Sequence, residues 1–282
     1  ISGVTDYKLK DDKAALDKIR SIVDKIGSYP KAGFKRSETK IPEIEKDKIY
    51  SILPKKNTQP YNSYELIDSL VDHNSIDEYK KEYGQTIITC YAKIDGWSIG
   101  IVANQRNMVK NKNGETQFGG VIYGDAANKA TRFIANCNQK NIPLVFLQDV
   151  TGFMVGSKAE HAGIIKDGAK MVNAVANSVV PKFTIIIGNS FGAGNYAMCG
   201  KAFDPRLIVA WPSAKIAVMG GSQAAEVLLQ IEKSSALKNG EIFNDKKESL
   251  MKEKIKSKYD EKTDIVFAAS QLWVDAVIDP AE

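Results

Sequence analysis

The spacing of apolar residues divides the chain into a helical opening, a pair of strands and a longer stretch in which helices and strands alternate. Apolar positions recur every three to four residues over 12–23 and 64–71, which predicts amphipathic helices. Between them, residues 30–60 contain scattered prolines and lysines without a sustained period, and we interpret this stretch as an extended interdomain connection. Residues 76–79 are predicted to form a surface helix with Tyr79 directed inward.

After residue 85 the apolar period changes to two, as expected of strands. Two such strands cover 86–94 and 97–104, joined by Asp95-Gly96, a dipeptide preferred in two-residue hairpin turns. From residue 125 onward, helical and strand patterns alternate, which implies mostly parallel strands covered by helices, as an ordinary doubly wound sheet would also show. The predicted helices are 126–138, 160–177, 193–201, 222–237 and 244–273, and the predicted strands are 143–150, 182–188, 207–211 and 215–219.

A glycine-rich junction follows the apolar run at 183–187, where the sequence continues GNSFGAGNYAMCG over 188–200. The first backbone N–H groups of a helix have no partner inside it and lie at the positive end of its dipole, so they can hold an oxyanion. Gly192 and Gly194 remove side chains on either side of Ala193, which would let a ligand oxygen approach these donors. Packing of a helix against a sheet explains such glycines equally well. The missing GxGxxG order and phosphate-loop lysine argue against a nucleotide.

A junction earlier in the chain shows the same order, because the predicted strand 143–150 is followed by TGFMVG at 151–156 and then by a helix. In chain order, the first junction is 151–156 and the second junction is 188–200. Two strand, glycine and helix units in tandem suggest one shared site. Residues 119–232 closely resemble the C-terminal half of the carboxyltransferase subunit of biotin-dependent acyl-CoA carboxylases. The segments that are most similar to the 3-methylcrotonyl-CoA carboxylase type are TGFMVG (151–156), KDGAKMV (166–172), GNYAMCG (194–200) and VMGG (218–221).

The resemblance implies a fold and a domain organisation. The fold would be an α/β crotonase-like (ClpP/crotonase) spiral of repeated strand-strand-helix units, preceded by a helical linker. Residues 1–62 would be the end of an N-terminal half and the interdomain linker, and residues 63–282 the C-terminal carboxyltransferase domain. Weaker matches at 1–6 and 272–280 suggest a fragment that lacks the half binding most of the coenzyme A, so we expect the fragment alone to be inactive.

In the family, a carboxyl group passes from carboxybiotin to the α (or vinylogous γ) carbon of an acyl-CoA, through enolates held in backbone oxyanion holes. By position, the Ala193 and Gly194 amides match the hole for the ureido oxygen of biotin, and Asn195 and Tyr196 would neighbour the acyl group, for which 3-methylcrotonyl-CoA is favoured. Core packing or helix contacts are the alternative roles for several of these residues. The residues implied to line the biotin ring are Gly152, Phe153, Met154, Val155, Phe191 and Gly192.

The resemblance further implies a biotin carboxylase and biotin carrier partner, and a homo-oligomer that ranges from dimer to hexamer. Biotin on the partner would be the cofactor and acyl-CoA the substrate, with no metal in this chain. One alternative is a biotin-dependent acyl-CoA decarboxylase subunit, which would run similar chemistry in reverse. The other is a non-catalytic assembly module with the same fold, which would tolerate bulky residues at Ala193 and Gly194.

Composition restricts the partners. The formal charge of +5 arises mainly in the first sixty residues, where lysines alternate with acids; this favours a solvated surface over a nucleic-acid site. The three widely spaced cysteines predict reduced core thiols. No apolar run approaches the roughly 20 residues of a membrane span. We therefore expect a soluble protein of the bacterial cytoplasm or the mitochondrial matrix, with the cytoplasm favoured.

Two further residues suggest other chemistry, and both suggestions are weak. His161 lies close to Glu160 and Asp167, yet no histidine or cysteine stands at ligand spacing, so neither a metal site nor a general base is favoured. Ser190 stands two residues from Gly188 and from Gly192, the spacing of a hydrolase nucleophile elbow. We attribute this spacing to chance, because such a hydrolase places its histidine downstream and none follows His161.

Overall fold

A computed structural model of the chain describes residues 7–26, 36–54, 59–238 and 245–281. The contacts within the chain define two compact units, residues 1–33 and 34–282. The first unit contains helix α1, Asp12–Ile26, which confirms the predicted amphipathic helix. Its first turn is capped by the Asp11 carboxylate, which accepts a hydrogen bond of 2.7 Å from the Ala14 amide. The segment 1–6, which entered the resemblance, lies outside the described residues.

The second unit contains the other described helices and all of the described strands. The helices are α2 Ile49–Ile52, α3 Ser63–Leu70, α4 Gly124–Gln139, α5 Ser157–His161, α6 Ile164–Ala176, α7 Gly192–Ala197, α8 Gly221–Lys238, α9 Asp245–Thr263 and α10 Ile265–Ser270. The strands are β1 Asp77–Glu78, β2 Ile87–Ile94, β3 Trp97–Asn104, β4 Val109–Lys110, β5 Thr116–Gln117, β6 Val121–Ile122, β7 Leu144–Val150, β8 Gly152–Phe153, β9 Lys182–Phe191, β10 Leu207–Ala210, β11 Lys215–Ala217 and β12 Ala276–Val277. Short 3-10 turns occupy Lys46–Lys48 and Lys201–Phe203.

The main sheet has the strand order β1-β2-β3-β7-β9-β10-β12, and β11 pairs with the second half of β9. Strands β1 to β3 are antiparallel, whereas every pairing from β3 onward is parallel, as the alternating pattern predicts. The predicted hairpin between β2 and β3 is confirmed. Asp95 (φ +50°) and Gly96 (φ +75°) both adopt the positive φ values that a type I′ turn requires.

Alternate side chains of the central strands enter two different cores. Leu144 and Phe146 of β7 pack on one face of the sheet with α4 and α6, in a core that also contains Cys199. Val145 and Leu147 face the other core, which α3 covers. Because side chains alternate along a strand, a strand buried on both faces is apolar throughout. This accounts for the apolar run over 144–147, whereas the buried Gln148 and Asp149 that follow in β7 are hydrogen-bonded.

The segment 76–79 differs from its prediction. It forms the edge strand β1 and is not a helix; the Tyr79 amide donates to the Thr89 carbonyl of β2 at 2.8 Å. The Tyr79 ring does point inward, with its centroid 5.6 Å from that of Phe133. Too few residues are available to close a stable helix, whereas the open edge of the sheet supplies backbone partners at once.

Several predicted helices end earlier than the sequence pattern indicates. The single helix predicted over 160–177 is divided into α5 and α6 by Gly163, whose φ of +91° is left-handed. The helix predicted over 193–201 stops at Ala197, because Cys199 has a φ of +62°. The helix predicted over 244–273 is interrupted at Asp264, which caps the start of α10. In each case one residue outside helical dihedrals breaks a pattern that the apolar spacing continues.

The stretch predicted as an extended connection is partly packed. Ile49 is 2% exposed and belongs to the core on the α3 side of the sheet, and so does Tyr61, which follows the predicted stretch directly and is 8% exposed. Among the helices of the described residues, none is both long and apolar enough to cross a membrane.

Candidate functional site

Strand β9 runs directly into α7 through Phe191 and Gly192. Phe191 keeps extended dihedrals, and Gly192 adopts a φ of +53°, which turns the chain into the helix. The Ala193 and Gly194 amides therefore lie in the first turn, where backbone donors have no acceptor within the helix. Ala193 is exposed and Gly194 is buried. The junction places two adjacent backbone donors at the end of a buried strand, as the glycine pattern predicts.

Gly194 is the point where the two glycine junctions meet. A Cβ atom at this position would lie 2.6 Å from Cγ2 of Val150 and 3.2 Å from the Cα atom of Gly152. Only glycine permits α7 to pack this closely on the end of β7. At Gly152, by contrast, a Cβ atom would meet nothing within 4 Å. Open space therefore adjoins the tight contact, and it lies beside the start of α7.

A buried chain of hydrogen bonds holds α7 in this position. The Ser190 hydroxyl donates to Oε1 of Gln148 at 2.6 Å, and Nδ2 of Asn195 donates to the Ser190 oxygen at 2.7 Å. Nε2 of Gln148 in turn donates to the Met198 carbonyl at 2.6 Å. Ser190 is 0% exposed and its hydroxyl is engaged on both sides, so it serves the packing of α7 and is not a nucleophile. The side-chain amide nitrogen of Asn195 is used within the protein.

The first junction is more open than the second. After β7, the Thr151 amide donates to the Gly120 carbonyl at 2.8 Å, and β8 pairs with β6 in parallel. The Phe153 ring lies against Gly168 of α6, where a Cβ atom would be 2.9 Å from Cε1 of the ring. Phe153 thus packs between β8 and α6. Val155 is 73% exposed.

A cavity of about 650 Å³ lies between this segment and the β4–β5 hairpin. Met154 and Val155 line it from one side, and Phe118 and Tyr123 line it from the other. Its further lining includes Tyr83, Gln117, Asp125, Lys158, Ile164 and Asp167. Aromatic and aliphatic walls with a few polar groups are typical of small-ligand sites. The residues from 107 to 118 drew no prediction from the sequence, and no role was predicted for Phe118 or Tyr123, although the two aromatic residues on either side of Gly119-Gly120 offered a signal.

The remaining predicted site residues are placed apart from this cavity. The Phe191 ring is 8% exposed and its Cε2 atom lies 3.6 Å from a Cβ built at Gly220, so it faces the segment after β11. Tyr196 is 49% exposed and packs edge-on against Phe203, with ring centroids 6.0 Å apart. The structure thus brings together the residues around Gly152 and Gly194, with Met154 and Val155 leading to the cavity.

An ion pair that was not predicted from the sequence lies buried close to both junctions. Nε of Arg106 and Oδ2 of Asp149 are 3.2 Å apart, and the two side chains are only 7% and 5% exposed. Burial raises the pKa of the Asp149 carboxyl, while the Arg106 guanidinium and hydrogen bonds from the Asn189 amide and the Tyr61 hydroxyl oppose that shift. Burial also raises the pKa of the Tyr61 hydroxyl well above its usual value.

The other residues considered from the sequence show no reactive arrangement. Cys90, Cys137 and Cys199 are buried thiols, as predicted, and burial raises the pKa of Cys199 to about 11. His161 ends α5 on the exposed surface. Within the described part of the chain, no group of three or more histidine, cysteine or acidic side chains is arranged to hold a metal ion.

Comparison with known proteins identifies the family. The profile described as carboxyl transferase domain matches residues 1–282. The chain is 41% identical over 281 residues to the mitochondrial methylcrotonoyl-CoA carboxylase beta chain of Dictyostelium discoideum, which covers 100% of this chain and 45% of that protein. Thus the chain spans about half the length of the curated relatives it matches.

Solved structures extend this similarity to the fold. The beta subunit of P. aeruginosa geranyl-CoA carboxylase superposes with a TM-score of 0.76 at 32% identity, over 100% of this chain and 50% of that one. The transcarboxylase 12S hexamer, solved with hydrolysed methylmalonyl-CoA bound, gives a TM-score of 0.73 at 31% identity, over 96% and 49% of the two chains. The expected crotonase-like α/β fold is confirmed. The chain belongs to the carboxyl transferase domain family.

Proposed function

We propose that this chain forms the biotin side of a carboxyltransferase active site, and that the whole subunit moves a carboxyl group from carboxybiotin to an acyl-CoA. One observation supports this most directly. Helix α7 begins where the two junctions meet, with a close contact at Gly194 and open space at Gly152. Its first-turn amides can therefore reach a ligand oxygen, and the segment after Gly152 leads to a cavity. Membership of the family narrows the reaction to carboxyl transfer.

In this proposal, biotin on a partner's carrier domain supplies the carboxyl group. The Ala193 and Gly194 N–H groups donate hydrogen bonds to its ureido oxygen and stabilise negative charge there. Gly192 gives the turn that presents these donors, and Gly152 leaves room for the ring. Met154 and Val155 supply apolar surface that excludes water, which would otherwise consume released carbon dioxide. Phe153 and Phe191 are proposed to line the biotin ring at the two junctions, outside the cavity, with Phe153 packed on α6 and Phe191 facing the segment after β11.

The favoured substrate is 3-methylcrotonyl-CoA, because the chain is similar to a methylcrotonoyl-CoA carboxylase beta chain. Asn195 and Tyr196 are proposed to neighbour the acyl group. Tyr196 offers a half-exposed ring for this contact, whereas Asn195 acts through α7, because its amide nitrogen is bound to Ser190. Geranyl-CoA, named for the carboxylase beta subunit of similar structure, is the longer acyl-CoA against which this preference is tested.

The partners and the domain division are also part of the proposal. Residues 1–62 would link an N-terminal half to the domain formed by 63–282, with Ile49 and Tyr61 of the linker packed on the domain core. The subunit would assemble into dimers and hexamers with a biotin carboxylase and carrier subunit. We place it in the bacterial cytoplasm in preference to the mitochondrial matrix.

The test uses the full-length subunit together with its biotin-bearing partner. ATP-dependent fixation of labelled bicarbonate is followed with 3-methylcrotonyl-, geranyl-, propionyl- and acetyl-CoA. Preference for 3-methylcrotonyl-CoA supports both the reaction and the substrate. Activity confined to another acyl-CoA supports the proposed reaction but contradicts the proposed substrate. Absence of fixation contradicts the proposal; release of carbon dioxide from a carboxylated acyl-CoA would then identify the decarboxylase.

Two variants of one residue test the backbone donors themselves. Ala193→Pro removes the N–H group at an early helical position, where proline is tolerated, and should lower turnover about 10²–10³-fold. Ala193→Ser keeps the N–H group and should stay within about twofold of the wild type. Ala193→Trp serves as a third variant, because a bulky side chain blocks ligand approach without removing the donor. If the proline and tryptophan variants left carboxyl transfer by the whole complex unchanged, the Ala193 and Gly194 donors would not be catalytic, as the assembly-module alternative requires.

A further inference from the structure

The ion pair between Arg106 and Asp149 is almost completely enclosed by protein. Besides the 3.2 Å contact between Nε and Oδ2, the Asp149 carboxylate accepts a hydrogen bond of 3.2 Å from the Tyr61 hydroxyl. It also accepts one of 2.9 Å from the Asn189 amide. The backbone amide of Asp149 donates to Oδ1 of Asn104 at 3.2 Å. A buried ion pair adds little stability over apolar packing of the same volume, so stability alone does not explain why this pair is present.

Glycines leave space for both members of the pair. At Gly188, a Cβ atom would lie 2.6 to 2.7 Å from the three carboxylate atoms of Asp149. At Gly120, a Cβ atom would lie 2.1 Å from Nη1 of Arg106. These contacts are too short for any side chain without displacement of the pair. The backbone on both sides is therefore shaped around the guanidinium and the carboxylate.

The carboxylate acts on the second junction through an irregularity in β9. Gln148 pairs with Ile186 and Val150 pairs with Ser190, so two steps along β7 match four steps along β9. Before this irregularity β9 pairs with β10, and after it β9 pairs with β11. Such bulges bend a strand and redirect the chain beyond them. The Asn189 amide, which lies in the bulge, is the group that the Asp149 carboxylate holds.

The guanidinium acts on the first junction through Gly120. Gly120 lies against Arg106. The Gly120 carbonyl accepts two hydrogen bonds from Thr151, one of 2.8 Å from its backbone amide and one of 3.1 Å from its hydroxyl. Thr151 is followed directly by Gly152. The ion pair thus joins the backbone before Gly152 to the backbone before Gly192.

We propose that Asp149 and Arg106 are positioning residues for carboxyl transfer, which set the distance between the two junctions and so the direction of the Ala193 and Gly194 donors. This inference rests on the proposed function. Neither residue touches the ligand. Their effect is on turnover, because catalytic donors misplaced by about 1 Å can cost about 10²-fold in rate.

The experiment compares single and double variants of the full-length subunit with its biotin-bearing partner. Asp149→Asn keeps the shape of the side chain and an oxygen that can accept from the Asn189 backbone amide, but it removes the negative charge. Arg106→Met removes the guanidinium and with it the ion pair. The double variant leaves no buried charge without a counterion, so its thermal stability should recover relative to the Arg106→Met protein. We expect its kcat to stay about 10- to 100-fold below the wild type, with KM for the acyl-CoA within about twofold.

Asp275→Asn is the matched control. The Asp275 carboxylate also accepts a hydrogen bond from a strand amide, that of Ile208 at 2.9 Å, and pairs with Lys201, but it lies near the β10–β12 edge. This variant should keep wild-type kcat. A purely structural role for the buried pair predicts that kcat follows stability, so a stable double variant with wild-type kcat would overturn the inference.

Tyr61→Phe provides a milder variant if the charge variants do not fold. It removes only the hydroxyl that donates to Asp149, and we expect kcat to fall about two- to fivefold with an unchanged KM. Wild-type kcat in this protein would contradict the inference. An inactive wild type, with every acyl-CoA tested, would instead remove the proposed function and this inference with it. An active wild type with an equally active double variant removes the inference alone.

Discussion

The two glycine junctions look alike in sequence but use glycine for different physical reasons. In the second junction, Gly188 and Gly194 are required for space, because a Cβ atom would meet Asp149 or Val150 at 2.6 Å. In the first junction and directly after the short helix α5 that follows it, Gly156 and Gly163 have nothing within 4 Å of a Cβ position, and their φ values are +107° and +91°. These glycines are required for backbone conformation. A glycine pattern therefore locates a junction without stating what each glycine does.

The difference extends to how firmly each junction is held. Around α7, the side chains of Gln148, Ser190 and Asn195 form a buried hydrogen-bonded chain. Around α5, Val155 is largely exposed. A firmly held element suits preorganised donors, which must not reorganise during reaction. An open segment suits the entrance to a cavity that a carrier-borne group must enter and leave.

The largest effect should come from filling the space at Gly194. Gly194→Ala places a methyl group against Val150 and the backbone of Gly152, an overpacking that typically costs about 1–3 kcal/mol. Because α7 must shift, carboxyl transfer should fall about 100-fold. Unfolding by guanidinium and bicarbonate fixation measure the two effects. In a double-mutant cycle with Val150→Ala, we expect a coupling above about 0.5 kcal/mol. Additive effects would show that space is not the reason for this glycine.

The next effect should come from the hydrogen-bonded chain. Ser190→Ala leaves Oε1 of Gln148 and Nδ2 of Asn195 without their shared partner in a buried place, which costs about 1–3 kcal/mol. Ser270→Ala, at the exposed end of α10, serves as the control and should change the free energy of unfolding by less than about 0.5 kcal/mol. Equal stability of the two variants would mean that the chain does not hold α7.

A smaller effect is expected at Gly156, whose φ of +107° and ψ of +159° lie in a region open essentially to glycine alone. Gly156→Ala should cost about 1–2 kcal/mol in the free energy of unfolding through strain. Because nothing lies within 4 Å of its Cβ position, no smaller neighbour can relieve this cost. An unchanged free energy of unfolding would show that the first junction adapts its backbone freely.

The smallest effect should appear at Gly163, where the dihedrals are left-handed helical (φ +91°, ψ +27°). Asparagine tolerates this region better than other side chains, so Gly163→Asn should cost less than about 1 kcal/mol. Gly163→Val should cost about 1–2 kcal/mol, because a β-branched residue fits this region poorly. The difference in stability between the two variants, measured by thermal unfolding, shows whether Gly163 is needed for its backbone conformation or for lack of space. Equal costs would point to a steric role instead.

Prediction from sequence succeeded where a local pattern decides the structure. The parallel sheet, the Asp95-Gly96 hairpin and the start of α7, predicted at Ala193 and found one residue earlier at Gly192, all follow from periodicity and turn chemistry. Prediction failed at 76–79, because a four-residue amphipathic pattern does not reveal that an open sheet edge lies within reach. It also ran past Gly163 and Cys199, since apolar spacing continues through residues whose φ is positive.

The spacing and type of neighbouring residues were enough to predict the alternation of the main helices and strands, the family and the two glycine junctions, because each of these is a local property of the chain. Three features required the three-dimensional structure: the packing of Gly194 close to Gly152, the pairing of Arg106 with Asp149, and the hydrogen bond from the Asn195 side-chain amide to Ser190. Each of these facts joins residues that are distant in the chain or settles a choice among hydrogen-bond partners. Such choices depend on which strands lie side by side, and the local sequence does not contain that information.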